Sequence, residues 1–503
     1  MKGRWRAIRP WDRVLLAGFV AAFALTRAGR VAERDPYWQI RAGAENLAGV
    51  PLARPDTWTW SGVPGDWYPN SPLWNVLLAL SYSAGGFWGF FAFTSLVLIL
   101  LLALVVVLGG RLGARPLPGL VALFAVFAGA LPYLGARATV GAQVLLLVAV
   151  CVVVALGDRA AGLSTTALVA TTTAAAGVLS VLGNWLHLSF LVLGPGLAVV
   201  WAAVWALTPW VTGSRRALVI AGGGVGWVLG PLLSPYGLAG GLERARAVQD
   251  ASQGLLTEWS SPFAPVQGGQ WDVMAVAALL VAAAAVWWLY REWRRGSDIR
   301  VLAALAMIGV PATAAGMVAL RFLGIGPVTL APVVAAVATH LVDRLRRPRS
   351  PRPAQGRLAV ALRDYTAGRF WRVVLTVVLA VLAPVALVLA AEHGVPREQA
   401  VVARLPAGCR VFSAPDIGGV VVLLRPDAPV RIDGRADFFG REFLLGSISF
   451  YTGEAAAVVP DGTGCVLLDP STGLTRGLRA RLELSADWRL AATENGVELW
   501  EPR

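Results

Sequence analysis

Long apolar runs joined by short arginine-bearing connections fill most of the chain, and this texture changes near residue 393. A helix needs about 20 mostly apolar residues to cross the hydrocarbon core. Runs of that kind fall at about 12–32, 86–109, 117–132, 140–157, 164–183, 188–210, 217–234, 271–290, 301–320, 323–341 and 372–392, which predicts about eleven transmembrane helices. Beyond them, short β-rich runs at 410–414, 419–425, 429–433, 465–469 and 497–501 alternate with Gly, Pro and Asp turn signals, and 437–451 and 473–484 read as helices. The expected architecture is therefore mainly α: a polytopic membrane domain over 1–392, with a first outer loop at 33–85, followed by a small α/β domain over 393–503.

Composition agrees with the pattern. The 503 residues are 56% hydrophobic and only 15% charged, outside the range of soluble domains. A net charge of +14 in a soluble protein would point to nucleic acid, but here the arginines concentrate between apolar runs, where they set topology, so no nucleic-acid partner is expected.

Positive charge also fixes an orientation. The N-terminus holds Lys2, Arg4, Arg6, Arg9 and Arg13 and is expected in the cytoplasm. Arg111 and Arg115, Arg159, Arg215 and Arg216, Arg291, Arg294 and Arg295, and the arginine-rich stretch 344–372 then fall on that same side. Residues from about 393 onward fall outside, in the manner of a multi-pass protein of a bacterial cytoplasmic membrane. The first run reads as a signal anchor or as a cleaved signal peptide ending near 22-AFA-24, and either way residue 35 lies outside. Of three cysteines, Cys409 and Cys465 both lie in the polar tail, where a disulfide is compatible with an extracytoplasmic location.

Polar side chains kept near the bilayer are costly and mark candidate chemistry. Four fall on the outer side: Asp35 in 34-RDPYWQIRAG-43, His187 in 183-GNWLHLSF-190, Glu258 in 255-LLTEWSSP-262 and Arg321 in 317-MVALRFLGIG-326. A carboxylate between Arg34 and Arg41 stays ionised and can take a proton or hold a metal. An arginine in an apolar hairpin offers a forked donor suited to a phosphate at headgroup depth. Each residue also has a plainer role: Asp35 as a helix cap before Pro36, His187 as an interfacial partner of Trp185, Glu258 as a solvated acid, Arg321 as a snorkelling anchor. In the tail, Asp433, Arg435 and Asp437 of 431-RIDGRADFFG-440 read either as a salt-bridged turn or as a set that binds a glycan or ion.

The stretch 35-DPYWQIRAGAENLAGVPLARPDTWTW-60 resembles the first outer loop of GT-C superfamily glycosyltransferases, in particular the catalytic subunits of oligosaccharyltransferases. The chain is similar, more closely, to a group of bacterial GT-C-like membrane proteins. That likeness rests on the Asp-x-x-Trp start, 67-WYPNSPLWN-75, 234-SPYG-237, the Glu-Trp of 257-TEW-259 and 433-DGR-435. The resemblance implies a GT-C-type fold, with Asp35 as catalytic base or metal ligand, Glu258 organising the acceptor or metal site and Arg321 contacting a lipid phosphate. His187 is a further catalytic candidate, and Trp38 and Trp259 join Arg321 as expected substrate-binding residues. Two features depart from the oligosaccharyltransferases: the tail lacks Trp-Trp-Asp, and 132-PYLGARATVG-141 lacks the acid that completes their metal site. Transfer to asparagine is therefore not expected, and the cofactor is left open, a divalent metal being compatible with Asp35 but without a complete acidic set.

The expected activity is transfer of a sugar from a polyprenyl-phosphate donor to a hydroxyl of a glycan or lipid acceptor on the outer face. The alternative is a non-enzymatic scaffold or assembly factor on the same frame, with a partner-binding outer domain. The sequence assigns no oligomeric state.

Overall fold

The computed structural model describes residues 10–503 apart from 30, 32–33, 116–119, 121–132, 210, 253–259, 265–268 and 347–354. The expected span at 117–132 lies almost wholly outside the described residues. Among the described residues, six helices are long and apolar enough to cross a membrane, or seven if a bent pair counts as one span. They are Pro72–Arg111, Ala138–Gly162, Thr165–Leu186, Val273–Arg294, Leu320–Asp343 and Arg372–Ala390, with the pair Gly213–Leu232 and Gly237–Ala251 bent by 65°. Phe190–Ala206 and Arg300–Gly316 are apolar helices of 17 residues each, and Pro10–Gly29 adds 20 residues that pack along Gln355–Ala390. The chain is a multi-pass membrane protein, and the count of eleven spans is replaced by these six or seven.

Two boundaries differ from the expectation. The helix expected at 86–109 begins at Pro72, so the first loop ends at about 71, and the run is interrupted where Gly85 and Gly86 leave helical geometry. Proline at the first helical position costs no hydrogen bond, which is why 72-PLWNVLLAL-80 starts a helix that a hydropathy window had left in the loop. The bend of 65° falls at 234-SPYG-237, where Pro235 cannot continue the preceding ladder.

The main core joins Leu98, Leu101, Val105, Leu147, Val150, Val153, Trp201, Trp205, Leu305 and Leu330 from six helices. One end of this bundle is held by ion pairs among Arg111, Asp158, Arg300 and Asp298, at 2.7–3.0 Å, and by Arg115 with Asp343 at 3.1 Å. The first-loop helix Asp35–Leu47 and the C-terminal residues cover the other end.

The C-terminal residues form a four-stranded sheet in the order Val411–Ser413, Cys465–Leu468, Val497–Pro502, Trp488–Glu494, its first pair parallel and the others antiparallel. Cys409 and Cys465 form a disulfide, their Cα atoms 6.1 Å apart, beside the parallel pair. The strand expected at 419–425 is instead the helix Pro415–Leu424. A short, wholly apolar run has no period to distinguish the two, and Pro415 with Asp416 in the first turn favours the helix. At 429–433 only isolated bridges form: Val430 pairs with Val411 and also with Thr59 of the first loop. Trp58, Trp67 and Tyr37 then share one core with Val420, Val421, Val430 and Leu467, so first loop and tail bury their apolar faces against each other.

Candidate active site

Asp35 opens the helix Asp35–Leu47, with Pro36 in the first turn, where a carboxylate is favoured by the helix dipole. Trp38, one turn on, lies on the same helix face and donates its indole Nε1–H to Asp35 Oδ1 at 3.0 Å. Its ring is 4% exposed and stands edge-on to Trp67 at 5.6 Å. The side chain expected to touch substrate is therefore buried, and it directs Asp35 instead. The arginines on either side of Asp35 reach other groups: Arg34 pairs with Glu398 at 3.1 Å, and Arg41 pairs with Glu45 at 3.0 Å and donates to the Val422 carbonyl.

A second acid of the same loop, Asp56, meets the tail. Arg435 Nη2 donates to Asp56 Oδ1 and to Asp433 Oδ2, both at 2.7 Å, and its guanidinium lies 4.3 Å from the Trp58 ring and 4.9 Å from Trp67. The side chain is 1% exposed, so a fully desolvated cation is neutralised by one carboxylate from each segment. Of the two readings of 433-DGR-435, the salt-bridged turn is the one observed, with Asp56 as a partner that the sequence did not indicate.

Asp437, half-buried in the first turn of Ala436–Thr452, has its carboxyl pushed up to about 6, chiefly by burial, with Asp433 adding and Arg435 and Arg244 opposing. The unfolded chain loses this proton near 3.8, so between there and about 6 the folded state binds more protons, and stability falls as pH rises through that window. Asp437→Asn is accordingly expected to raise the unfolding midpoint at pH 7.5 by the equivalent of about 1–2 kcal/mol, discounted for partial exposure, and to match the parent at pH 4. An equal offset at both pH values, by thermal unfolding in micelles, contradicts the assignment. Arg244, from the bent helix, covers the Tyr68 ring at 4.2 Å, and Tyr68 meets Tyr236 edge-on at 5.6 Å.

The segment 67–75 ties further loops to this end of the bundle. Tyr236 donates its hydroxyl to the Pro69 carbonyl at 2.6 Å, and the Leu188 N–H donates to the Asn70 carbonyl at 2.8 Å, which sets His187 beside the first loop. His187 Nδ1 accepts the Ser189 N–H at 3.0 Å, which leaves the proton on Nε2. Burial, and then the positive charges of Arg321 and Arg137, push its pKa down to about 3. A neutral Nε2–H donor between two arginines suits an anion better than it suits accepting a proton, so His187 moves from base candidate to binding candidate.

Arg321 lies in the short helix Leu320–Gly324, which packs on Tyr133, and Tyr133 also lies 5.9 Å from the Arg137 guanidinium. Arg137, not singled out from the sequence, thus joins Arg321 and His187. Glu258 and Trp259 lie outside the described residues. The chain just after them is fastened to the Arg321 turn: the Ser260 carbonyl accepts the Leu320 N–H at 3.0 Å, and the Ser261 hydroxyl donates to the Met317 carbonyl at 2.9 Å. Among the described residues no group of three or more His, Cys, Asp or Glu stands ready to hold a metal ion.

The arrangement is a GT-C-type membrane fold. Among solved structures, the chain is similar to the oligosaccharyltransferase of Archaeoglobus fulgidus in its apo form, with a TM-score of 0.50 at 13% identity over 93% of this chain and 71% of that one. The archaeal oligosaccharyltransferase AglB from the same organism, in complex with an inhibitory peptide and a dolichol-phosphate, gives 0.48 at 12% identity over the same shares. No family model and no curated protein matches the sequence. At such identity the likeness is one of fold.

Proposed function

We propose that this protein is a membrane glycosyltransferase that moves a sugar from a polyprenyl-phosphate donor to a hydroxyl of a glycan or lipid acceptor on the extracytoplasmic face. The observation that carries the reading is the gathering of a helix-opening acid and a cationic group at one end of a GT-C-type bundle. Asp35 lies under the tail, while Arg321, Arg137 and His187 lie beside the same segment 67–75. Two further observations support the sidedness: the arginine-rich ion pairs occupy the opposite end, and the Cys409–Cys465 disulfide suits an oxidising compartment.

In this reaction Asp35 takes the proton of the acceptor hydroxyl as its oxygen bonds to the anomeric carbon. The bond from that carbon to the phosphate oxygen breaks, and its electron pair leaves on the phosphate. Arg321 and Arg137 steady that developing charge, and the His187 Nε2–H adds a neutral donor. Glu258 and Trp259 are assigned to acceptor positioning and substrate contact. Metal dependence does not enter these steps.

The test uses purified protein in vesicles made from the lipid extract of its own cells, which carries the native lipid-linked sugars, with release of free polyprenyl phosphate read by mass spectrometry. Arg321→Gln is expected to slow release by about 10²–10³-fold at an unchanged unfolding midpoint. No release by the parent protein, or an unchanged rate in Arg321→Gln, defeats the proposal. The scaffold reading gains support from the core shared by first loop and tail, which a partner-binding module also needs, and it predicts no release at all.

A further inference from the structure

The tail touches the proposed catalytic carboxylate itself. A Cβ placed on Gly434 would lie 2.3 Å from Asp35 Oδ1, 2.7 Å from Trp38 Nε1 and 3.3 Å from Trp38 Cδ1. Those are the two partners of the 3.0 Å hydrogen bond that directs Asp35. No side chain fits between the turn and the acid, so glycine at 434 is required by the approach itself. A second glycine of the tail repeats the geometry: a Cβ on Gly419 would lie 3.2 Å from Trp38 Cδ1 and 3.4 Å from the Arg34 carbonyl oxygen. Residues 34–38 are therefore gripped at two points by backbone that belongs to the far end of the sequence.

The grip is stiff. Asp433 and Arg435, on either side of Gly434, are each 1% exposed. Arg435 is bonded to both Asp433 and Asp56, so the turn is fastened to the loop on the far side of the same helix. The helix carrying Gly419 is pressed against the strand-like segment before the turn, where a Cβ on Gly418 would lie 2.0 Å from the Ile432 carbonyl oxygen. Asp35 thus stands between an indole N–H that sets the direction of one oxygen and a turn that blocks the nearby space.

We propose that the Asp433–Gly434–Arg435 turn and Trp38 form a positioning device for Asp35, which makes the tail a working part of the active site as well as any recognition module. The inference rests on the functional reading above. In it Gly434 and Trp38 are positioning residues, acting on substrate only through the place they give the carboxylate. A general base displaced by about 1 Å loses about 10²-fold in rate, which sets the scale of the expected effect.

The experiment compares Gly434→Ala, Trp38→Phe, the double variant and Asp35→Asn in the vesicle assay, with the lipid extract titrated so that kcat and KM separate. Unfolding midpoints are recorded in parallel. Gly434→Ala and Trp38→Phe are each expected to lower kcat by about 10²-fold with KM within a few-fold of the parent. The double variant is expected to fall little below the worse single one, because both disturb the same carboxylate. Trp38→Phe inserts no atom, so it decides the matter alone if Gly434→Ala does not fold. Asp35→Asn inactive with both positioning variants at parental kcat overturns this inference and leaves the functional reading standing. Asp35→Asn at full rate overturns both. Losses that multiply in the double variant and track the unfolding midpoint assign these residues to stability alone and overturn the positioning role.

Discussion

Arg435→Ala is expected to cost about 3–5 kcal/mol of stability, the range for breaking a buried ion pair by removing one partner. The reason lies in what remains. Asp56 is 6% exposed and Asp433 is fully buried at the side chain, and without the guanidinium both carboxylates face each other across a low-dielectric gap with no counter-charge. The Trp58 and Trp67 rings also lose the cation stacked between them, and the fragment removed leaves a void beside them. Arg435→Lys keeps the charge but cannot fork between two acids, so an intermediate loss is expected. Thermal unfolding in micelles, followed by tryptophan emission, reads the effect directly, because two indoles flank the missing group. A loss under about 1 kcal/mol would mean that water reaches the cluster and that the junction between loop and tail is looser than described.

This junction shows where sequence reading succeeds and where it stops. Apolar runs of transmembrane length are a one-dimensional signal, so most membrane helices could be placed from hydropathy alone. Their ends and number were less legible: Pro72 starts a helix inside the expected loop, and 213–251 bends at Pro235 instead of making one straight span. The run 419-GVVVLLR-425 failed because its uniform apolarity carries no period, and what decides it is burial against residues 34–38. For the site, charge alternation was enough to put Asp35, His187 and Arg321 at one end. Asp56 and Arg435 are 379 residues apart, and no pattern within either segment announces the other. Trp38 illustrates a different limit. Its position beside Asp35 was plain, but only coordinates separate a ring that meets substrate from one whose N–H holds the acid.

Asp35→Asn carries the largest expected effect on activity. The substitution preserves size, and the amide oxygen can still accept the Trp38 Nε1–H, so the loop helix and its contact with Gly434 should persist and the unfolding midpoint should stay near the parent's. What disappears is the capacity to take a proton, because an amide is not a base at any pH the protein meets. General-base assistance accounts for about 10²–10⁴ in rate. Asp35→Glu keeps the carboxylate but pushes it about one methylene further toward the Gly434 backbone, where there is no room, so it should recover little.

The central claim is that Asp35 does chemistry in the place where the first loop and the tail close on it. Its most direct measurement is the initial rate of polyprenyl phosphate release by the parent and by Asp35→Asn, in the same lipid-extract vesicles and at matched protein content. The account predicts release by the parent and a rate at least about 10²-fold lower in a normally folded Asp35→Asn. Equal rates in the two, or no release from either, would contradict it.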